Sequence, residues 1–185
     1  YYPATHGNVN NGVVNLSYVW GTAESTSKIH IHEFGHYLGL YHTFQSGCAN
    51  GDCLTNGDRV CDTPPDSRTS FSACGEPDNS CNTDADDTSD NNPFKTDVDD
   101  LYENYMDYTS KSCQNTFTQG QADRMRSVVM EVRYSLLQSK GCSNADDLSQ
   151  NQPNACSTEE LVLFMDQINS GVYEDTETIY AAGKL

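Results

Sequence analysis

A chain of 185 residues with 27 Asp or Glu against 10 Lys or Arg carries a formal charge of −17. That excess of negative charge excludes nucleic acid and anionic membrane surfaces as partners, and no apolar run approaches the ~20 residues of a bilayer span. Hydrophobic residues make up 36%, a modest core for a length that suits one domain.

The chain opens Tyr1-Tyr2-Pro3, with neither an initiator methionine nor a signal peptide. A secreted protein with this start is expected to be processed, truncated or part of something larger. Val13 to Trp20 is β-branched and aromatic and reads as a strand. Ser25, Thr26 or Ser27 can cap a helix expected over about 27–38.

That helix carries His32-Glu33-Phe34-Gly35-His36-Tyr37-Leu38-Gly39-Leu40-Tyr41-His42, which reads H-E-x-x-H-x-x-G-x-x-H. His32 and His36, at i and i+4, project from one helix face. Gly39 lets the chain leave the helix through positive φ, and His42 can then return as a third ligand. Three protein ligands leave the fourth position of zinc open for water, the arrangement of a catalytic site. Zinc lowers the pKa of such a water toward about 7 and polarises a bound carbonyl. Glu33, beside His32 but off its face, can take the proton and pass it to a leaving amine. The implied reaction is peptide-bond hydrolysis without a covalent intermediate. His30 faces away from the two helical ligands and reads as an ordinary packed or surface histidine. His6 has no partner in sequence.

From Phe44 to about Leu101 there is little periodicity. Asp58 to Asp107 holds fourteen acidic residues against three basic ones. Such loops suit calcium, a hard cation that takes oxygen ligands, although a solvated acidic loop is the simpler alternative. Asp84-Ala85-Asp86-Asp87 is one candidate ligand cluster, without the spacing of an EF-hand. Eight cysteines and no C-x-x-C argue for disulfides in an oxidising compartment over a structural zinc cluster. Eight cysteines allow 105 pairings, among which spacing does not choose. Thr118-Gln119-Gly120-Gln121 is a capping-box start for a second helix. Met125, Val128, Val129, Val132 and Leu136 share one face of it, and Gly141 is a stop signal. Residues 143–157 are linker-like, and Thr158-Glu159-Glu160 opens a short helix with Leu161, Phe164, Met165 and Ile168 on one side. There is no internal repeat.

The zinc motif resembles the metzincin clan. Its continuation as HEFGHYLGLYHTF, then GDRVCDTPP from Gly57, ENYMDY from Glu103 and CQNTFTQGQADRM from Cys113, resembles the pappalysin family of zinc peptidases. The likeness runs from about Asn11 to Met125, with Cys142 as its outer bound. It implies an α+β fold: a partial metzincin-like domain with an active-site helix, a long disulfide- and calcium-stapled loop, a Met-turn and a C-terminal helix. Residues 1–142 would be the C-terminal part of the catalytic domain, and 143–185 a linker and helical tail or the start of a further domain. Met106 matches the methionine turned beneath the metal. Tyr108 matches a tyrosine that can swing toward it and steady developing oxyanion charge. Asp58, Asp62 and Thr63 fall where relatives bind calcium. The likeness also implies Cys48 paired with Cys81 and Cys74 with Cys113, which leaves Cys53 with Cys61 and Cys142 with Cys156.

The resemblance departs from the family in two places. Only a short segment precedes the zinc helix, so the upper half of the domain, whose edge strand binds substrate by β-augmentation, is expected from another chain or segment. The acidic specificity residue that precedes the Cys113 equivalent in some relatives is Ser112 here, after Lys111. A preference for basic side chains is not implied, and Lys111 reads as solvated or as tolerant of an acidic side chain. The expectation is a secreted zinc endopeptidase acting on proteins or peptides. The alternatives are a non-catalytic metal-stabilised module of a larger secreted or cell-surface assembly, and a calcium-dependent adhesion module.

Overall fold

The computed structural model describes residues 6–7, 11–15, 24–67, 74–75 and 78–138. Two helices frame it, α1 over Glu24–Tyr37 and α2 over Gln119–Glu131. Short 3₁₀ turns lie at Asp84–Asp86 and Tyr134–Gln138. Among the described residues the β pairing is an isolated parallel bridge between Asn104 and Thr116. The α+β expectation is therefore met here in its helical part. Of the strand expected over 13–20, residues 13–15 are irregular and the rest lie outside the described residues, as do the tail from 143 onward and the Cys142–Cys156 pair.

α1 begins three residues before its expected start, so Ser25, Thr26 and Ser27 lie within its first turn instead of capping it. Nothing in the sequence from Glu24 to Ser27 breaks a helix. The end follows the sequence signal. Gly39 has φ 93°, Leu40 donates its N–H to the Gly35 carbonyl at 2.9 Å, and Gly39 donates to His36 at 3.0 Å. Those two bonds make a Schellman motif with Gly39 in the left-handed position.

α2 starts at Thr118. Its hydroxyl accepts from Gln121 N at 3.1 Å, while the Gln121 side chain accepts from Thr118 N at 3.0 Å. This is the capping box read from the sequence. The helix ends at Glu131, ten residues before Gly141, and the chain tightens into 3₁₀ geometry at Tyr134. Met125 and Val129 face the core, whereas Val128 and Val132 are half-buried.

The core lies between α1, the turn at residues 104–107 and α2. It comprises Tyr37, Leu38, Leu40, Tyr105, Met106, Phe117, Met125 and Val129. Beside it Arg133 is fully buried. Its guanidinium lies 3.5 Å from the Tyr37 ring centroid and donates to the Tyr37 carbonyl at 2.7 Å and to Asn11. A buried cation persists when its donors are satisfied.

The long loop is closed by covalent and polar ties. Disulfides join Cys48 to Cys81, Cys53 to Cys61 and Cys74 to Cys113. These are the two pairs the resemblance implies and one of the two pairs it leaves over. Buried carboxylates serve as acceptors for loop donors, where a sheet would supply carbonyls. Asp84 accepts from Val98 N at 2.8 Å, Asp87 from Ser89 N at 2.8 Å, and Asp100 from Ser80 N at 2.9 Å. Asp66 accepts from the Thr43 and Ser80 hydroxyls, each at 3.1 Å. Much of the acidity thus holds the loop together from within, since hydrogen bonds to charged groups are worth roughly 1.5–3 kcal/mol each.

Candidate metal site

α1 presents His32 and His36 one turn apart, and the reversal at Gly39 brings His42 back against them. The His42 Nε2 atom lies 3.2 Å from His32 Nε2 and 3.0 Å from His36 Nε2. Among the described residues these three are the cluster of His, Cys, Asp or Glu whose ligand atoms converge, all within 4.8 Å of one another. The second ring nitrogens settle the tautomers. His32 Nδ1 donates to the Tyr105 carbonyl at 2.7 Å and His36 Nδ1 to the Leu40 carbonyl at 2.8 Å. With those protons on Nδ1, each of the two Nε2 atoms turns a lone pair inward, and outer hydrogen bonds of this kind orient metal-binding imidazoles.

Burial removes the competing proton. It lowers the pKa of His32 to about 3, against the opposing pull of the Tyr105 carbonyl, with His36, His42 and Lys111 lowering it further. His42 falls to about 4, through burial and the charges of His36 and Lys111, and His36 is lowered by burial as well. All three are neutral at neutral pH. Convergent neutral imidazoles repel one another unless a cation lies between them. Tetrahedral zinc with Zn–N bonds of about 2.0–2.1 Å would set the nitrogens about 3.3 Å apart, so the donor set fits that ion.

The sequence profile of the peptidase family described as pregnancy-associated plasma protein-A matches residues 1–130. The chain belongs to this family. Similar proteins include extracellular metalloprotease 1 of Coccidioides posadasii, 39% identical over 113 residues, which are 61% of this chain and 34% of that protein. An extracellular metalloprotease of Sordaria macrospora is 41% identical over 102 residues, covering 55% of this chain and 30% of the other. Mature mirolysin of Tannerella forsythia, solved with a cleaved peptide, is 30% identical, with 55% of this chain and 33% of that one covered at a TM-score of 0.36. The chain spans about a third of the length of these relatives. Family membership and the histidine cluster together make this a metal-binding, protease-like module.

Around the triad the other expected residues divide. Glu33 follows His32 on α1, half-buried, and is not among the convergent ligand atoms. Its charge raises the pKa of His36 and of Lys111, so the carboxylate lies within electrostatic range of both. Tyr108 is 38% exposed, its ring centroid 4.7 Å from His42 and 5.6 Å from His32. Met106 is fully buried against Gly35, between the two helical histidines in sequence. His30 is buried outside the cluster. His6 has its ring 6.1 Å from that of Tyr134 and is not in the cluster.

The three residues expected to hold calcium separate. The Thr63 hydroxyl is 2.8 Å from both Asp58 carboxylate oxygens and 2.6 Å from the Val60 carbonyl. Asp62 points elsewhere. It accepts from the Thr118 hydroxyl at 2.7 Å and from Gly120 N at 2.8 Å, and so caps α2. In the 84–87 cluster, Asp84 Oδ2 and Asp87 accept from backbone donors while the buried Asp84 Oδ1 has no hydrogen-bond partner, and no set of three carboxylates converges there.

Three supporting groups escaped the sequence. Phe44 stacks on His42, with centroids 4.6 Å apart and an interplanar angle of 11°. The Tyr105 carbonyl, which fixes His32, is a backbone atom and leaves no residue-type signal. Asn104 and Gln121, both fully buried, exchange side-chain amide bonds at 2.8 and 3.1 Å, and Asn104 also accepts from Met106 N at 2.9 Å. The capping box of α2 is thereby tied to the turn whose Tyr105 carbonyl holds His32.

Proposed function

We propose that this chain is the zinc-binding part of an extracellular endopeptidase that hydrolyses peptide bonds. The observation that carries the reading is the convergence of His32, His36 and His42 Nε2 on one point, with Glu33 at the next helical position and outside the ligand set. Zinc, when held by the three histidines, would polarise a substrate carbonyl and acidify a water. Glu33, which takes no hydrogen bond from the described residues, is free to accept the proton of that water and deliver it to the leaving nitrogen. The Tyr108 phenol, exposed beside His42, can donate to the carbonyl oxygen as its charge grows. Met106 would serve as the floor under the helix. The extracellular setting rests on the names of the relatives and on the disulfides. No described helix is long and apolar enough to cross a membrane.

A calcium ion is proposed at Asp58, Thr63 and the Val60 carbonyl. Burial pushes the Asp58 carboxyl up to about 7 against the opposing Thr63 hydroxyl and Val60 N–H, a cost that a hard cation would relieve. Asp62 is left out of that set because it caps α2.

A second reading, a metal-stabilised module without turnover inside a larger assembly, is favoured by one fact: among the described residues the convergent ligand cluster is three histidines with no carboxylate in it. Metal content and cleavage of a denatured protein separate the two. Under the first reading Glu33→Gln binds about one zinc per chain and loses activity by a factor on the order of 10²–10⁴. Under the second, wild type and variant bind zinc alike and neither cleaves.

A further inference from the structure

The third ligand is held differently from the first two. His32 and His36 are each fixed through Nδ1, by the carbonyls of Tyr105 at 2.7 Å and Leu40 at 2.8 Å. Among the described residues His42 Nδ1 meets no such acceptor. His42 also lies beyond the end of α1, so no helix holds its backbone. Its ring is held by other rings. Phe44 lies almost parallel to it, with centroids 4.6 Å apart and an angle of 11° between the planes, an offset stack. Tyr108 meets both rings at steep angles, 68° to His42 at 4.7 Å and 64° to Phe44 at 4.9 Å.

The local backbone keeps Phe44 in that place. Buried Thr43, between the two rings in sequence, donates its N–H to the Met106 carbonyl at 3.4 Å and its hydroxyl to Asp66 at 3.1 Å. The chain then turns. Gln45 donates its N–H to the His42 carbonyl at 3.0 Å and Gly47 to the Phe44 carbonyl at 3.1 Å, with Ser46 and Gly47 both at positive φ, 66° and 61°. Cys48 ends the turn with its bond to Cys81. The backbone on both sides of Phe44 is thus tied without help from a metal. The Nε2 lone pair lies in the plane of its imidazole. A stack that fixes the plane of His42 therefore also aims that lone pair toward the point where His32 and His36 converge.

We propose that Phe44 is a positioning residue. By stacking, it sets the ring plane of His42 in place of the outer hydrogen bond that orients each of the other two ligands, and so readies the triad before a metal arrives. The inference rests on the metal-binding reading of the triad. Half-buried Phe44 then has a reason to be aromatic as well as apolar. A leucine would cover the same side of His42 but leave its plane free.

The test measures zinc affinity of the full chain, disulfides intact, by competition with a chromophoric chelator at neutral pH. Phe44→Leu should weaken binding about two- to tenfold, the scale of one aromatic pair, whereas Phe44→Tyr should stay within about twofold of wild type. In a His42→Ala background Phe44→Leu should change nothing further, because the ring it orients is gone. A merely structural role would weaken binding equally in both backgrounds. That result, or a Phe44→Leu chain that binds zinc as wild type does, overturns the proposal and leaves the metal-binding reading intact. Nuclear Overhauser contacts between the Phe44 and His42 rings of wild type need no variant, so they decide the matter even if Phe44→Leu does not fold. They are expected in the metal-free chain as in the zinc-loaded one, and their absence without metal overturns the proposal. A wild-type chain that takes up no zinc overturns both.

Discussion

Gly35 offers the most direct test of how the turn at Met106 supports the metal helix. A Cβ added at Gly35 would lie 2.4 Å from Met106 Sδ, 3.3 Å from its Cε and 3.5 Å from Leu40 Cδ1. An optimal non-bonded contact is about 3.5–4.0 Å, so the overlap with the sulfur exceeds 1 Å. Met106 is fully buried, as is Leu40, and neither has a solvent path to move into. Overpacking of this kind costs roughly 1–3 kcal/mol. Alanine regains about 1 kcal/mol over glycine within a helix, so Gly35→Ala is expected to lose up to about 2 kcal/mol net. The cleaner quantity is the coupling. Met106→Ala alone should cost about 2–5 kcal/mol through its cavity, but that cavity receives the new methyl group, so the double variant should be at least about 1 kcal/mol more stable than additivity allows. Chemical denaturation of the metal-free chain, disulfides intact, measures all four members of the cycle. Zinc affinity should fall in Gly35→Ala, because Met106 and the Tyr105 carbonyl that orients His32 are neighbours on one turn. A cycle that closes additively within about 0.3 kcal/mol would refute the claim that Met106 packs against α1 at this point.

Two other perturbations probe different ties. Asp107 is buried, and burial, together with the charges of Asp66 and Asp100, raises its pKa to about 7 against the opposing Tyr108 N–H and Lys111. The folded state then holds the proton more tightly than the unfolded one, so stability is greatest below about pH 4 and falls as pH rises toward 7, by an amount on the order of 4 kcal/mol for this group. The buried histidines of the chelated protein contribute the opposite slope up to about pH 6.5, so the decline is read as a difference: the stability of the wild type minus that of Asp107→Asn should fall between about pH 4 and 7. At the other end of the site, Asp62→Ala removes the acceptor for the Thr118 hydroxyl and Gly120 N. It should cost about 1–3 kcal/mol, read as a lowered unfolding midpoint, with zinc stoichiometry unchanged.

The sequence determined the chemistry because the chemistry is local. His32, Glu33 and His36 sit one helical turn apart whatever the rest of the chain does, and Gly39 accommodates the φ of 93° that returns His42. The Thr118 capping box was legible for the same reason, since its four residues satisfy one another. The disulfides were not legible from spacing, which leaves 105 pairings open; the family likeness was needed to narrow them. What tertiary structure alone decided is long-range. His32 owes its tautomer to a carbonyl 73 residues away, and Asp62 caps a helix 56 residues downstream instead of joining Asp58. Arg133 reaches back 96 residues to Tyr37. A residue type announces what a side chain can donate or accept, but not which partner the packed chain will bring to it. The backbone acceptors that orient a metal ligand carry no residue signature at all.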